Sequence, residues 1–238
     1  MSTKPAHLTR VELFSVRLDE ATTLRDAERL SSDEQARADR IITQSHRDAF
    51  IKMRSSLRSV LASKLKYAPE DIRFEYSSDG KPSVLGVDWH FNISHTHGIG
   101  LIALRETYPV GVDIERYRPL PEHTKLAQRY FCDAELARLT ALPDAARLTL
   151  FYRYWTRKEA IIKALGRSFA QHSREVDVST IDDQKPPILS SQLSPDLDSS
   201  WRITDLSSPT GTVAAVAGRG HICVDQSDLN ETLKSATH

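Results

Sequence analysis

Apolar positions along the chain recur at two periods, and the switches between them mark out the elements. Val11-Glu-Leu-Phe-Ser-Val-Arg-Leu18 alternates, which predicts an opening strand. Charge dominates residues 21–46, predicting one or two helices with a capping box at Ser31-Ser-Asp-Glu34. Phe50, Met53, Leu57, Val60 and Leu61 then recur at helical spacing, in a helix ending near Tyr67-Ala-Pro69. Ile72–Tyr76, Trp89–His95 and Ile99–Leu104 read as strands, with turns at Ser77–Pro82 and His95–Gly98. Pro109 opens a further strand, Val110–Glu115. Helices over 121–131 and 133–142 precede a longer one, whose apolar positions Leu148, Phe151, Tyr152, Trp155 and Ile162 share a face. Glu175–Ile181 alternates as a strand, and 182–200, rich in Ser, Pro and Asp, reads as a loop. Trp201–Leu206, Thr212–Val216 and Ile222–Val224 are short strands, and fraying is expected in the polar last dozen residues.

Each half therefore carries a long helix followed by several strands. The helix at 50–65 holds the place in the first half that 148–165 holds in the second, which points to a pseudo-duplicated α+β architecture. At 238 residues there is ample apolar surface for one large domain or two small ones. Lys plus Arg and Asp plus Glu both number 32, so no dominant nucleic-acid footprint is expected. Cys132 and Cys223 match no metal or redox spacing and read as free thiols. No apolar run reaches membrane-spanning length, and Met1–His7 lacks a hydrophobic signal core, so a cytoplasmic protein is expected.

The chemistry concentrates on carboxylates. In Val110–Glu115 a period of two puts Val110, Val112 and Ile114 on one face, and Gly111, Asp113 and Glu115 on the other. Carboxylates at i and i+2 start roughly 6.5–7 Å apart at the backbone, so their side chains can converge on one hard cation. Gly111 is expected to keep that face open. Glu159 falls on the apolar face of the long helix, where an ionised carboxylate is costly unless a cation or several hydrogen bonds satisfy it. The plainer readings are a solvated edge-strand face and a Glu159–Lys163 surface pair. Three carboxylates suit Mg²⁺, whose remaining positions go to water or phosphate oxygens. Lys158 and Lys163 flank Glu159 and suit a substrate that brings negative charge, such as a diphosphate. Ser94-His95 and Gly80-Lys81-Pro82 add donors for phosphates, whereas Arg37, Arg40 and Arg47 read more readily as solvated charge than as ligands. Phosphate-loop, dinucleotide-binding and nucleophile-elbow fingerprints are all missing from the sequence.

Taken together, Phe91-Asn-Ile-Ser94-His95, Gly111-Val-Asp113-Ile-Glu115 and Trp155-Thr-Arg-Lys158-Glu159-Ala-Ile-Ile-Lys163-Ala-Leu-Gly166 resemble the signature of the 4′-phosphopantetheinyl transferases. Their order and the chain length are similar to the long, pseudodimeric Sfp-type subclass. Gly80-Lys81-Pro82, and Phe131 with Glu135, fit further motifs of that family. The resemblance implies two similar α/β halves related by a pseudo-twofold, residues 1–107 on the coenzyme A side and 108–238 with the metal and catalytic motifs. The active site would lie at their junction. It implies Mg²⁺-dependent transfer of the phosphopantetheine arm of coenzyme A to a serine of an apo acyl- or peptidyl-carrier protein, with release of adenosine 3′,5′-bisphosphate. By motif position, Asp113, Glu115 and Glu159 would hold Mg²⁺, and Glu159 would take the serine proton or position the base that does. Lys163 would steady the charge on the transferred phosphoryl group. Arg37, Arg47, Lys81, Ser94, His95 and Lys158 would contact coenzyme A. A monomer, with neither nucleic acid nor membrane as partner, is expected.

Ala49 stands where many members carry a phosphate-binding arginine, with Arg47 the expected substitute, and Gly166-Arg-Ser168 replaces a frequent Gly-x-Gly. Two rivals remain at this stage: a Mg²⁺-dependent hydrolase of a nucleotide diphosphate, and a coenzyme A or carrier-protein binding module without catalysis.

Overall fold

The computed structural model describes residues 10–77, 80–193 and 200–229. Strand β1 (Arg10–Arg17) leads through two short helices, α1 (Leu24–Glu28) and α2 (Ser32–Asp39), into the long helix α3 (Gln44–Leu65). A hairpin of β2 (Phe74–Tyr76) and β3 (Pro82–Val84) precedes the antiparallel pair β4 (Trp89–Thr96) and β5 (Ile99–Glu106). Then come β6 (Val110–Arg116), α4 (His123–Tyr130), α5 (Asp133–Thr140), the long helix α6 (Asp144–Leu165) and α7 (Phe169–His172). Two-residue strands β7 (Val176–Asp177) and β8 (Ile188–Leu189) pair with each other. The described chain closes with β9 (Trp201–Asp205), β10 (Thr212–Arg219) and β11 (Cys223–Asp228).

The two larger sheets have the orders β11-β1-β5-β4 and β6-β10-β9. The strand β11 runs parallel to β1, so the end of the described chain returns to the first sheet. Local chemistry sets the helix ends. Thr23 and Ser31 each close a capping box with the carboxylate three residues on, which satisfies amide groups a helix start leaves bare. Lys66 and Gly166 take left-handed backbone at the ends of α3 and α6.

Three apolar layers hold this together. Met53, Leu57 and Leu61 of α3 pack on Phe14, Phe91, Ile102 and Leu104 of the first sheet. Val11, Leu13, Leu101 and Ala103 meet Val110, Val112, Ile114, Ala214 and Val216 between the two sheets. The opposite face of the second sheet carries α6, with Ala160, Ile161 and Ala164 against Ala215, Ala217 and Ile203. Each large aliphatic buried this way contributes about 1.5–3 kcal/mol.

Three local expectations need correction. The face of β6 holding Gly111 is not open: a Cβ at Gly111 would overlap the Ala160 carbonyl oxygen and come within 2.5 Å of the Ala164 nitrogen. Glycine is there because the α6 backbone lies directly on the strand. Nor does α6 carry a single buried stripe. Thr156, Arg157, Lys158, Ala160, Ile161, Ile162 and Ala164 are all buried, since a sheet covers one side and α4, α5 and α7 pack on the other. Finally, Glu175–Ile181 is not one strand. Lys158 takes the Val176 carbonyl and Glu135 takes the Val178 amide, so only β7 stays extended between two short 3₁₀ turns. Of the 182–200 loop, β8 adds a brief strand and 194–199 lie outside the described residues, as do 230–238, where fraying was expected. Among the described residues, no helix is long and apolar enough to cross a membrane.

Candidate active site

The site grows from a junction between β4 and β6, which belong to different sheets. Asn92 and Ser94 point the same way along β4, two residues apart. Asn92 Oδ1 accepts from the Val112 amide at 2.9 Å, and Ser94 Oγ donates to Asp113 Oδ1 at 2.8 Å. The Ile114 amide donates to Ser94 Oγ at 3.4 Å. These side chains replace a backbone ladder where the two sheets part, and they fix the buried carboxylate of Asp113.

Helix α6 brings the remaining groups. Lys163 Nζ lies 2.7 Å from Asp113 Oδ1 and 3.9 Å from Glu159 Oε2. Glu159 is raised to about 7 by burial and then by the charges of Asp113 and Glu115, with Lys163 opposing. Burial, followed by the Asp113 charge, raises Glu115 as well. Asp113 Oδ2 is buried and has no hydrogen-bond partner among the described residues. Three carboxylates that repel one another, one with an unsatisfied buried oxygen, face the Lys163 ammonium, and the Arg118 charge also acts on Glu115. That donor set, all hard oxygens, fits a divalent cation such as Mg²⁺.

A tighter group of ligand atoms, Cys132, Glu135 and Asp177, lies within 4.8 Å of one another on the far side of α6. It is already filled. Lys158 Nζ donates to both Glu135 oxygens, at 2.8 and 2.6 Å, and both residues have fully buried side chains. Glu135 also accepts from the Cys132 and Val178 amides. This corrects the expectation for Lys158: its ammonium is enclosed away from any ligand. Sequence adjacency to Glu159 suggested a substrate contact, but one residue along a helix turns the side chain by about 100°.

The remaining residues divide in the same way. Lys81 Nζ caps α6, donating to the Lys163 and Ala164 carbonyls at 2.7 and 2.8 Å, and burial lowers it to about 8. Arg47 folds back on the Ile41 carbonyl through Nε at 3.2 Å and Nη2 at 3.0 Å, so it does not stand in for the arginine missing at Ala49. Arg37 lies at the rim of a cleft of about 610 Å³ between α2, α3 and β2, its guanidinium over the Phe50 ring. Inside that cleft Arg54 and Arg58 pair with buried Glu34. His95 lines a separate cleft of about 600 Å³ with His46 and Ala49. Burial, then the charges of Lys163 and His46, hold its imidazole below the usual value. Sequence reasoning overlooked His46; its place one turn before Ala49 on the same helix was the available signal.

The folded arrangement defines a class: an α+β protein with a carboxylate–lysine cluster where two sheets meet under a buried helix. Comparison with known proteins narrows it. Residues 109–217, from β6 through α6 to β10, match the model of the 4′-phosphopantetheinyl transferase superfamily. The 4′-phosphopantetheinyl transferase HetI of Nostoc sp. is 36% identical over 228 residues, covering 91% of this chain and 92% of that protein. Sfp of Bacillus subtilis is 34% identical over 115 residues, 48% of this chain and 50% of its own. The mouse L-aminoadipate-semialdehyde dehydrogenase-phosphopantetheinyl transferase is 29% identical over 167 residues, 64% and 54% of the two chains. The chain belongs to the 4′-phosphopantetheinyl transferase family and is an enzyme of that type.

Proposed function

We propose that this enzyme moves the 4′-phosphopantetheine arm of coenzyme A onto a serine hydroxyl of an apo acyl- or peptidyl-carrier protein and releases adenosine 3′,5′-bisphosphate. The observation that carries the reading is the cluster of Asp113, Glu115, Glu159 and Lys163, with Asp113 Oδ2 lacking a donor. In this reading Asp113, Glu115 and Glu159 hold Mg²⁺, which supplies charge neutralisation to a pyrophosphate when bound. The serine oxygen attacks the phosphorus bearing the pantetheine arm, the bond to the adenylate oxygen breaks, and the serine proton passes to Glu159 or to a base it positions. Lys163 lies within reach of the same charges and steadies the departing oxygen. His95 holds the phosphate-bearing end of coenzyme A, while Arg37 lines a different cleft. Lys81, spent on the end of α6, acts by placing the Gly80–Pro82 turn.

The two long helices each span 22 residues, end in left-handed backbone and lie on a sheet, which supports a pseudo-twofold between two halves and a monomeric enzyme. Return of β11 to the first sheet ties those halves together. The test is incubation with coenzyme A, Mg²⁺ and a panel of apo carrier proteins, read by intact mass. Gain of one phosphopantetheine on a carrier supports the reading; coenzyme A cleaved without any carrier gaining mass refutes it.

A further inference from the structure

Ser94 lies on β4 directly before His95, and by motif position both are expected to contact coenzyme A. The Ser94 hydroxyl, however, is already spent. The residue is buried, its Oγ donates to Asp113 Oδ1 at 2.8 Å, and it accepts from the Ile114 amide at 3.4 Å and from Lys163 Nζ at 3.5 Å. A serine hydroxyl has one proton and two lone pairs, so these contacts use all of its capacity. A phosphate oxygen is an acceptor and would need the same proton. We propose that Ser94 is a positioning residue for the divalent cation: it holds the Asp113 carboxylate by one oxygen and leaves the other, Oδ2, for the ion. This rests on the reading of Asp113, Glu115 and Glu159 as ligands given above, and it moves Ser94 from the substrate to the metal.

The fold treats the two oxygens of Asp113 unequally. The residue is only 4% exposed. Oδ1 receives both the Ser94 hydroxyl and the Lys163 ammonium, the latter at 2.7 Å, whereas Oδ2 is buried with no hydrogen-bond partner among the described residues. A bare carboxylate oxygen inside a protein is costly until a cation or a donor satisfies it. Of the two groups on Oδ1, Lys163 is the looser: its ammonium rides on a flexible four-carbon stem and its side chain is partly exposed. The serine hydroxyl is short and sits on a strand whose Asn92 accepts from the Val112 amide at 2.9 Å, so backbone on both sides sets its height over Asp113. Outer hydrogen bonds of this kind orient a ligating carboxylate before the ion arrives, and losing one typically costs about ten- to a hundredfold in metal affinity. Because β4 belongs to the first sheet and β6 to the second, the same bond ties the strand that carries His95 to the strand that carries the metal carboxylates.

The experiment titrates the full chain with each ligand alone, so that the two roles of Ser94 separate. Mg²⁺ binding is followed by calorimetry without coenzyme A, and coenzyme A binding by calorimetry in EDTA, for wild type, Ser94→Ala and Ser94→Thr. Ser94→Ala should weaken Mg²⁺ binding about tenfold and leave coenzyme A binding unchanged. Ser94→Thr keeps the hydroxyl and should bind Mg²⁺ as wild type does. In transfer assays the alanine variant should need about tenfold more Mg²⁺ for half-maximal rate, with the KM for coenzyme A at saturating Mg²⁺ unaltered. Equal Mg²⁺ affinity in Ser94→Ala and wild type would overturn the proposal. So would a threonine variant as weak as alanine, which would trace the loss to packing, or a fall in coenzyme A affinity in EDTA, which would return Ser94 to the substrate. The proposed transfer stands apart from all three, since it is read from the mass of the carrier after reaction with wild type. A wild type that binds no Mg²⁺ would overturn both this proposal and the metal assignment beneath it.

Discussion

Replacing Glu159 by glutamine should make the ion-free protein more stable at pH 8. Glu159 is only 20% exposed, and its pKa is raised from 4.5 to about 7 because burial and two neighbouring carboxylates oppose its charge more than Lys163 favours it. Between those values the unfolded chain has released this proton and the native chain has kept it. Stability therefore falls as pH rises through the window, and the penalty is complete above pH 7. About 2.5 pKa units at about 1.4 kcal/mol each give a ceiling of about 3.5 kcal/mol. For a chain of this size that corresponds to roughly 7–14 °C in melting temperature. Glutamine has the same shape and carries no charge at any pH. In EDTA, the Glu159→Gln protein should melt above wild type at pH 8 by up to that amount, and the gap should close near pH 4.5. Saturating Mg²⁺ should raise the wild-type melting temperature most at pH 8 and do little for the variant, which should also lose transfer. Circular-dichroism melts at the two pH values suffice. A variant less stable than wild type at pH 8, or offset equally at both pH values, would refute the argument that repulsion at this cluster is held in the fold.

Other outcomes follow from the same geometry. Asp113→Asn should reduce the Mg²⁺-dependent gain in melting temperature; an unchanged metal titration removes Asp113 from the ligand set. Gly111→Ala, forced against the backbone of α6, should cost about 3 kcal/mol or more in urea unfolding, and wild-type stability would show that the helix can retreat from the strand. Lys158→Met or Glu135→Gln alone should each cost about 3–5 kcal/mol by leaving a buried group without its partner, while the double variant should recover much of the loss. Additive losses in that cycle would mean the two side chains are not coupled.

Much of the fold was legible because the signals were local. The alternation in Val11–Leu18 and the Ser31–Glu34 capping box both depend on residues a few positions apart, and both are found in place. The motif carboxylates were legible as a set because strand and helix periods restrict where Asp113 and Glu159 can point. What escaped was set by tertiary packing. Lys81 looked like a phosphate ligand until the end of α6, eighty residues on, took up its donors. Arg47 seemed able to replace an arginine two positions away, but those positions face different sides of α3, and only the cleft shows that His46 shares the side of Ala49. The strand expected over 175–181 was cut short by side chains from α5 and α6, which local pattern could not supply.

Lys158 and Glu159 are neighbours with opposite fates, and the first helps explain the second. The Lys158 ammonium is locked to Glu135 and the Val176 carbonyl on one side of α6. On another side, the backbone at Ala160 and Ala164 rests on Gly111 with no room for a methyl group. These contacts fix both the rotation of the helix and its height above β6. Glu159, between them in sequence, cannot swing away from Asp113 and Glu115 by moving the helix, only by turning its own side chain. A freer helix would let the carboxylates part and so relieve the share of those raised values that comes from their mutual charge, burial being the larger share. The buried pair should accordingly be a determinant of metal affinity even though it touches no metal.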